Sequence, residues 1–160
     1  MLKMLKLNNI SAIGIDTKTE KFNTCNENGA KFSVSPMEND LKNKIADFSK
    51  SNDLDVVIDF VSSKSSLELG CSILGKGGRL VTLGGSGEQF LANSADMLVK
   101  ELELIGSRYC TKQELKESLD LYARGLIEPL VSVKTDFDGA EGLHDKIEKG
   151  EITGRAGILI

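Results

Sequence analysis

Between Leu54 and Gly106 the chain repeats one phrase: an apolar run, an amphipathic segment, a stop, another apolar run. Leu54–Val61 carries Val56, Val57, Ile58, Phe60 and Val61 almost unbroken, the pattern of a strand buried on both faces. Ser65–Leu74 reads as a helix ended by Gly75 and Gly77-Gly78, and Arg79–Leu83 as the next strand. A short helix around Ala95–Lys100 leads to the strand Leu102–Gly106. Strands that alternate with helices in this way predict an α/β fold: a parallel sheet covered by helices, with right-handed crossovers.

The rhythm extends in both directions. Met1, Met4 and Leu5 space an N-terminal helix that stops at Asn8-Asn9, before the strand Ser11–Ile15 and Asp16. Glu20–Asn28 predicts a helix, Lys31–Ser35 a short strand, and Glu38–Ser49 a helix with Leu41, Ile45 and Phe48 on one face. Thr111–Leu126 predicts a long helix with Thr111 and Glu114 as a capping box and Leu115, Leu119, Tyr122 and Leu126 as its buried stripe. Pro129–Val133 is extended, Asp138 is placed to cap a helix from Gly139 to Lys149, and Ala156–Ile160 is a terminal strand.

Asp16 carries the most specific chemistry. In a dinucleotide-binding unit an acid at the end of the second strand accepts hydrogen bonds from a ribose hydroxyl, about 20 residues after a glycine fingerprint that holds the pyrophosphate. Only Gly14 precedes Asp16, and it lies inside the strand. If Asp16 is the ribose acid, the first strand and its phosphate loop belong before Met1.

Composition narrows the classes. A length of 160 residues with 40% hydrophobic content suits one domain with its own core. A net charge of −4, with both signs interleaved, argues against a nucleic-acid surface. No apolar run is long enough to span a bilayer, and the lysine-rich start has no cleavage site of a signal peptide. Cys25, Cys71 and Cys110 are three and widely spaced, which fits a reducing cytoplasm better than a disulfide framework. His144 is the sole histidine and has no cysteine nearby, so it predicts neither a metal ligand nor a catalytic base.

The succession Val56–Val61, Leu67-Glu68-Leu69-Gly70, Leu74–Gly84, Lys100–Ser107, then Gly125–Pro129 and Gly150–Arg155 resembles the cofactor half of the zinc-type medium-chain dehydrogenases, the alcohol dehydrogenase superfamily. The likeness covers essentially the whole chain in order. It implies a Rossmann-type doubly wound sheet, truncated before its first strand and glycine loop, with order 3-2-1-4-5-6 in the complete fold. It implies an NAD-binding part over residues 1–108 and a helix/strand return over 109–160, together one compact unit. NAD is the implied cofactor, a small alcohol or polyol the substrate of the complete enzyme, and zinc is confined to a catalytic domain that this sequence does not contain.

The same resemblance assigns positions. Asp16 would hold the adenosine ribose and repel a 2′-phosphate, or be a solvated acid at a strand end. Lys21 would reach the same ribose, or be an exposed helix lysine. Gly84 and Gly85 would let the nicotinamide approach the backbone, or form a plain tight turn. Ile105 and Gly106 would offer backbone groups to the carboxamide, and Arg155 would pair with the pyrophosphate or lie free on the surface. Gln89–Asn93 would pair with its copy in a dimer, burying Phe90 and Leu91, or fold against its own domain. Two other readings stand: a zinc-free NADPH-dependent quinone or enoyl reductase, against which Asp16 argues, and a non-catalytic assembly module or split-enzyme subunit. With no glycine loop and no zinc ligands, the chain alone is expected to bind NAD weakly and to oxidise no alcohol.

Overall fold

The computed structural model describes residues 1–49 and 54–160. The chain forms two compact units. The first comprises Met1–Gly14, Glu20–Ser33 and Lys112–Ile160, so the C-terminal segment groups with the N-terminal elements; the second comprises Ile15–Thr19 and Val34–Thr111.

In the first unit α1 (Leu2–Leu7) ends where Asn8 Nδ2 donates to the Met4 carbonyl at 2.8 Å and Asn9 turns to a φ of 57°. Strand β1 (Ala12–Ile15) follows, then a single 3-10 turn (Thr19–Lys21), α2 (Phe22–Glu27) and β2 (Ala30–Val34), which pairs with β1. Later come α6 (Lys112–Ala123), β6 (Val131–Thr135), α7 (Ala140–Glu148) and β7 (Arg155–Ile158), with β6 and β7 parallel. Ala30 and Leu143 are its buried apolar residues.

The second unit carries α3 (Leu41–Ser49), β3 (Leu54–Asp59), α4 (Lys64–Ile73), β4 (Leu74–Thr82), α5 (Ser94–Lys100) and β5 (Glu103–Gly106). Its sheet has the order β3-β4-β5, all parallel. Leu67, Leu74 and Leu80 form the core, with Leu54, Val57, Cys71, Phe90 and Leu102 packed against them. Gly70 faces Leu80: a Cβ there would lie 2.9 Å from Leu80 Cδ1, so the glycine lets α4 lie close on the strand. Asn93 caps α5 by accepting from the Ala95 amide at 2.9 Å, and Lys100 at its end donates to the Leu74 carbonyl at 2.8 Å.

This is the Rossmann-type α/β arrangement expected, with the β1-β2 and β3-β4-β5 neighbours in the expected order. Among the described residues β1 has only β2 as a hydrogen-bonded neighbour and β3 only β4.

Four local expectations differ from the structure. Strand β3 ends at Asp59 and is not covered on both faces: Val56, Phe60 and Val61 are 49%, 58% and 65% exposed. A strand that reads as central has one neighbour here, and apolar periodicity reports a tendency to be buried, not the presence of a cover. The stripe on α6 is likewise open, with Leu115, Leu119 and Tyr122 more than half exposed. Helix α4 ends at Ile73 with Leu74 already extended, so β4 begins before Gly75 and Gly77-Gly78, which lie within the strand and do not stop the helix. Of the two acids beside the start of α7 that the sequence offers as caps, Asp136 and Asp138, it is Asp136 whose Oδ1 accepts from the Gly139 amide at 3.0 Å, and Asp138 makes no side-chain cap. Asp136 sits three residues before that amide, the reach of a carboxylate-closed turn.

Candidate cofactor-binding rim

The ladder of the second unit aligns Asp59, Thr82 and Gly106 at the carboxyl ends of β3, β4 and β5. In open α/β sheets ligands lie outside those ends. The rim is built from Phe60–Ser63, Leu83–Gly87 and Ser107–Thr111, which follow the three strands.

Asp59 organises the first of these segments. It is buried, its Oδ1 accepts from the amides of Val61 (2.8 Å) and Ser62 (2.9 Å), and its Oδ2 accepts from Ser66 Oγ (2.7 Å). Ser62 is buried as well, takes a φ of 56°, and its hydroxyl meets that of Thr82. Ser63 caps α4 by accepting from the Ser66 amide at 3.2 Å. A buried polar cluster of this kind is tolerated only when its members are satisfied.

The second segment runs directly against the first. The Leu83 amide donates to the Asp59 carbonyl at 2.8 Å, and Ser86 Oγ donates to the Ser62 carbonyl. A Cβ on Gly84 would lie 2.5 Å from the Val61 carbonyl oxygen, whereas a Cβ on Gly85 would meet nothing within 4 Å. Gly84 is therefore demanded by the chain's own backbone, and Gly85 is the glycine that leaves open space. Beside them, Ile105 pairs with Val81 and Gly106 with Thr82; the position of a Cβ on Gly106 is open too. The Ser107 amide donates to the Thr82 carbonyl at 2.9 Å. Beyond it the Arg108 guanidinium lies 4.6 Å from the ring centroid of exposed Tyr109, whose φ is 60°.

Gly84, Gly85, Ile105 and Gly106 are thus brought together at one end of adjacent strands. Asp16 follows β1, in the other sheet, and is half-buried; its amide donates to the Val34 carbonyl at 3.3 Å and its Oδ1 accepts from the Lys18 amide at 2.9 Å. Lys21 ends the 3-10 turn and Arg155 begins β7, both in the first unit. The Arg155 side chain is exposed and lines a depression of about 200 Å³ with Ile147, Ile152, Gly154 and Ala156. Phe90 packs on the Leu67–Leu74–Leu80 core of its own unit, while Leu91 is exposed.

The residues fit a dinucleotide in kind: an acid at the end of β1, glycines with open space on the rim, an exposed arginine. They do not fit zinc. Among the described residues no three His, Cys, Asp or Glu side chains are grouped to hold a metal ion, and His144 is exposed on α7. Burial pushes the Cys71 thiol above its ordinary value, against the opposing pull of the Lys100 ammonium. No described helix is long and apolar enough to cross a membrane.

Sequence reasoning missed the Asp59–Ser62–Ser66–Thr82–Ser86 cluster. An acid closing an apolar strand, followed by Ser62-Ser63 and then Ser66, is the available signal, with Ser63 as the cap of the helix that follows.

Residues 1–124 match the family model described as zinc-binding dehydrogenase. An NAD-dependent alcohol dehydrogenase of Sulfolobus acidocaldarius is 27% identical over 145 residues, covering 89% of this chain and 41% of its own length. The alcohol dehydrogenase of Aeropyrum pernix superposes with a TM-score of 0.86 at 26% identity, covering 97% of this chain and 44% of that one. A dehydrogenase of E. coli CFT073 complexed with NADH gives a TM-score of 0.82 at 23% identity, covering 92% and 44%. The chain spans less than half the length of these relatives. With the order of its strands, the acid after β1 and the match over most of its length, the chain belongs to the zinc-binding dehydrogenase family.

Proposed function

We propose that this chain is the coenzyme-binding portion of an NAD-dependent alcohol or polyol dehydrogenase. The observation that carries the reading is Asp16, an acid held at the carboxyl end of β1 by the turn that Lys18 closes. The resemblance to NAD-dependent alcohol dehydrogenases supports it. Asp16 accepts from the adenosine ribose, aided by Lys21, and disfavours a 2′-phosphate by like charge. Arg155 meets the pyrophosphate. Gly85, Ile105 and Gly106 present the rim of the sheet to the nicotinamide ring, with Gly84 supporting Gly85 from beneath.

Bound NAD supplies the hydride acceptor for an alcohol carbon. The residues named here bind and orient it. The working protein is read as cytoplasmic and as a homodimer through Gln89–Asn93, with Leu91 as the residue offered to the partner.

One charge-assisted contact from Arg155 and one ribose contact from Asp16 are worth about 2–5 kcal/mol together. That corresponds to dissociation constants from about 0.2 mM to tens of millimolar. The test is calorimetric titration of the pure chain with NADH and NADPH, beside an alcohol oxidation assay with added zinc. Weak binding that favours NADH, without turnover, is expected. Preference for NADPH would refute the assignment of Asp16; micromolar affinity or turnover would refute the weak binding and inactivity expected from these contacts.

A further inference from the structure

Asp59 and Ser62 are the buried polar residues among those described, and both belong to one cluster. The cluster joins three pieces of the rim that are separate in sequence. Asp59 ties the first turn of α4, through Ser66 Oγ, to the Val61 and Ser62 amides. Ser62 then reaches Thr82 with its hydroxyl and receives the Ser86 hydroxyl on its carbonyl. Ser86 in turn accepts from the Glu88 amide at 3.2 Å, and Glu88 Oε2 accepts from the Lys64 amide at 2.7 Å, which returns the loop to the start of α4.

We propose that Asp59 is a positioning residue for the nicotinamide end of the site: its carboxylate fixes the Phe60–Ser63 turn, and that turn fixes the loop carrying Gly84 and Gly85. The inference rests on the cofactor reading above and deepens it. Asp59 touches no cofactor; it acts through Ser62. The positive φ of Ser62, uncommon for a residue with a side chain, is the conformation that presents its carbonyl to Ser86 and its hydroxyl to Thr82. Two amides donating to one carboxylate oxygen hold it there.

Asparagine can serve the same geometry. Its carbonyl oxygen accepts from the Val61 and Ser62 amides and its amide nitrogen donates to Ser66 Oγ, whereas alanine leaves all three donors without the carboxylate. The experiment compares the chain with Asp59→Ala, Asp59→Asn and Ser86→Ala, the last altering an outer hydroxyl and sparing the core. Two quantities are read: amide hydrogen exchange across Gly85–Glu88, and saturation transfer from the protein to each ring of added NADH, a method suited to millimolar binding.

Asp59→Ala and Ser86→Ala are expected to speed exchange in the loop by about tenfold or more, the scale of one lost bond to a charged or buried group. Both should lower transfer to the nicotinamide relative to the adenine, and Asp59→Asn should match the unmodified chain. Unchanged loop exchange in both variants overturns the proposal. So does a parallel fall at both rings, which a merely structural role would produce. A fold lost altogether in Asp59→Ala leaves Ser86→Ala to decide by the same two readouts. Absence of transfer to either ring in the unmodified chain instead refutes the cofactor reading, and the role given to Asp59 with it; normal transfer that none of the variants changes refutes the positioning role alone.

Discussion

Gly84→Ala and Gly85→Ala place the same methyl group on neighbouring residues and should have opposite consequences. At Gly84 the new Cβ would lie 2.5 Å and 2.6 Å from the Val61 carbonyl oxygen and carbon, and 2.8 Å from the Phe60 oxygen. All three are backbone atoms, so no flexible side chain can swing aside. Relief requires either the turn after β3 or the strand end of β4 to move, and both are tied: Leu83 to the Asp59 carbonyl, Ser62 to Thr82. Overpacking at a site that cannot yield costs about 1–3 kcal/mol, and the upper half of that range applies here. For a chain of this size each kcal/mol lowers the melting temperature by about 2–4 °C, so Gly84→Ala should melt about 4–12 °C below the unmodified chain. At Gly85 the Cβ meets nothing within 4 Å. Alanine there restricts the unfolded chain and should be neutral or stabilising by up to about 1 kcal/mol. Thermal melting followed by circular dichroism, with urea titration alongside, measures both. Equal melting temperatures for the two variants, or a larger loss at Gly85, would refute the reasoning that Gly84 answers to the chain's own backbone.

Other outcomes follow from the same geometry. Asp16→Asn removes the charge set against a 2′-phosphate and should narrow the preference for NADH over NADPH by roughly fivefold or more, a single screened charge being worth at least about 1 kcal/mol at contact distance; competitive saturation transfer with the two cofactors reads the ratio. Arg79 Nε donates to Glu103 Oε2 at 2.5 Å across β4 and β5, and that bond together with the guanidinium charge holds the Glu103 carboxyl below its ordinary range. Because the folded value is the lower one, the pair's contribution is complete above the ordinary carboxylate range and disappears as pH falls through the folded value. Glu103→Gln should flatten that acid limb in denaturation measured against pH, and raised salt should shrink the difference, since both groups are exposed. Leu91→Asp should abolish the proposed dimer in sedimentation and leave the melting temperature unchanged at concentrations where the unmodified chain is monomeric, because Leu91 is exposed; a dimer that persists would move the interface elsewhere.

Much of the fold is legible from local patterns. Helix lengths, apolar runs and the glycine and asparagine stops are properties of neighbouring residues, so the element order and the parallel pairing follow from the chain itself. The position of Asp16 is of the same kind, a residue defined by the strand it ends. The site is less legible because it depends on residues that meet across the sheet. Nothing local separates Gly84 from Gly85, or Phe90 from Leu91. The first of each pair is decided by what the fold places against it, the backbone of Val61 in one case and the Leu67–Leu74–Leu80 core in the other.

Amino-acid order alone therefore determined the α/β class, the succession of strands and helices, and the acid that follows β1. Those features arise from periodicity and backbone preference, which act over a few residues at a time. Tertiary structure decided which apolar faces are covered, leaving Val56 open on β3, Phe60 and Val61 open just after it, and Leu115, Leu119 and Tyr122 open on α6. It also decided that Asp59 would be a buried hub and not a surface acid. Burial is a property of what lies opposite a side chain, and hydrogen bonds such as that from Ser86 to Ser62 exist only once distant segments have been brought side by side.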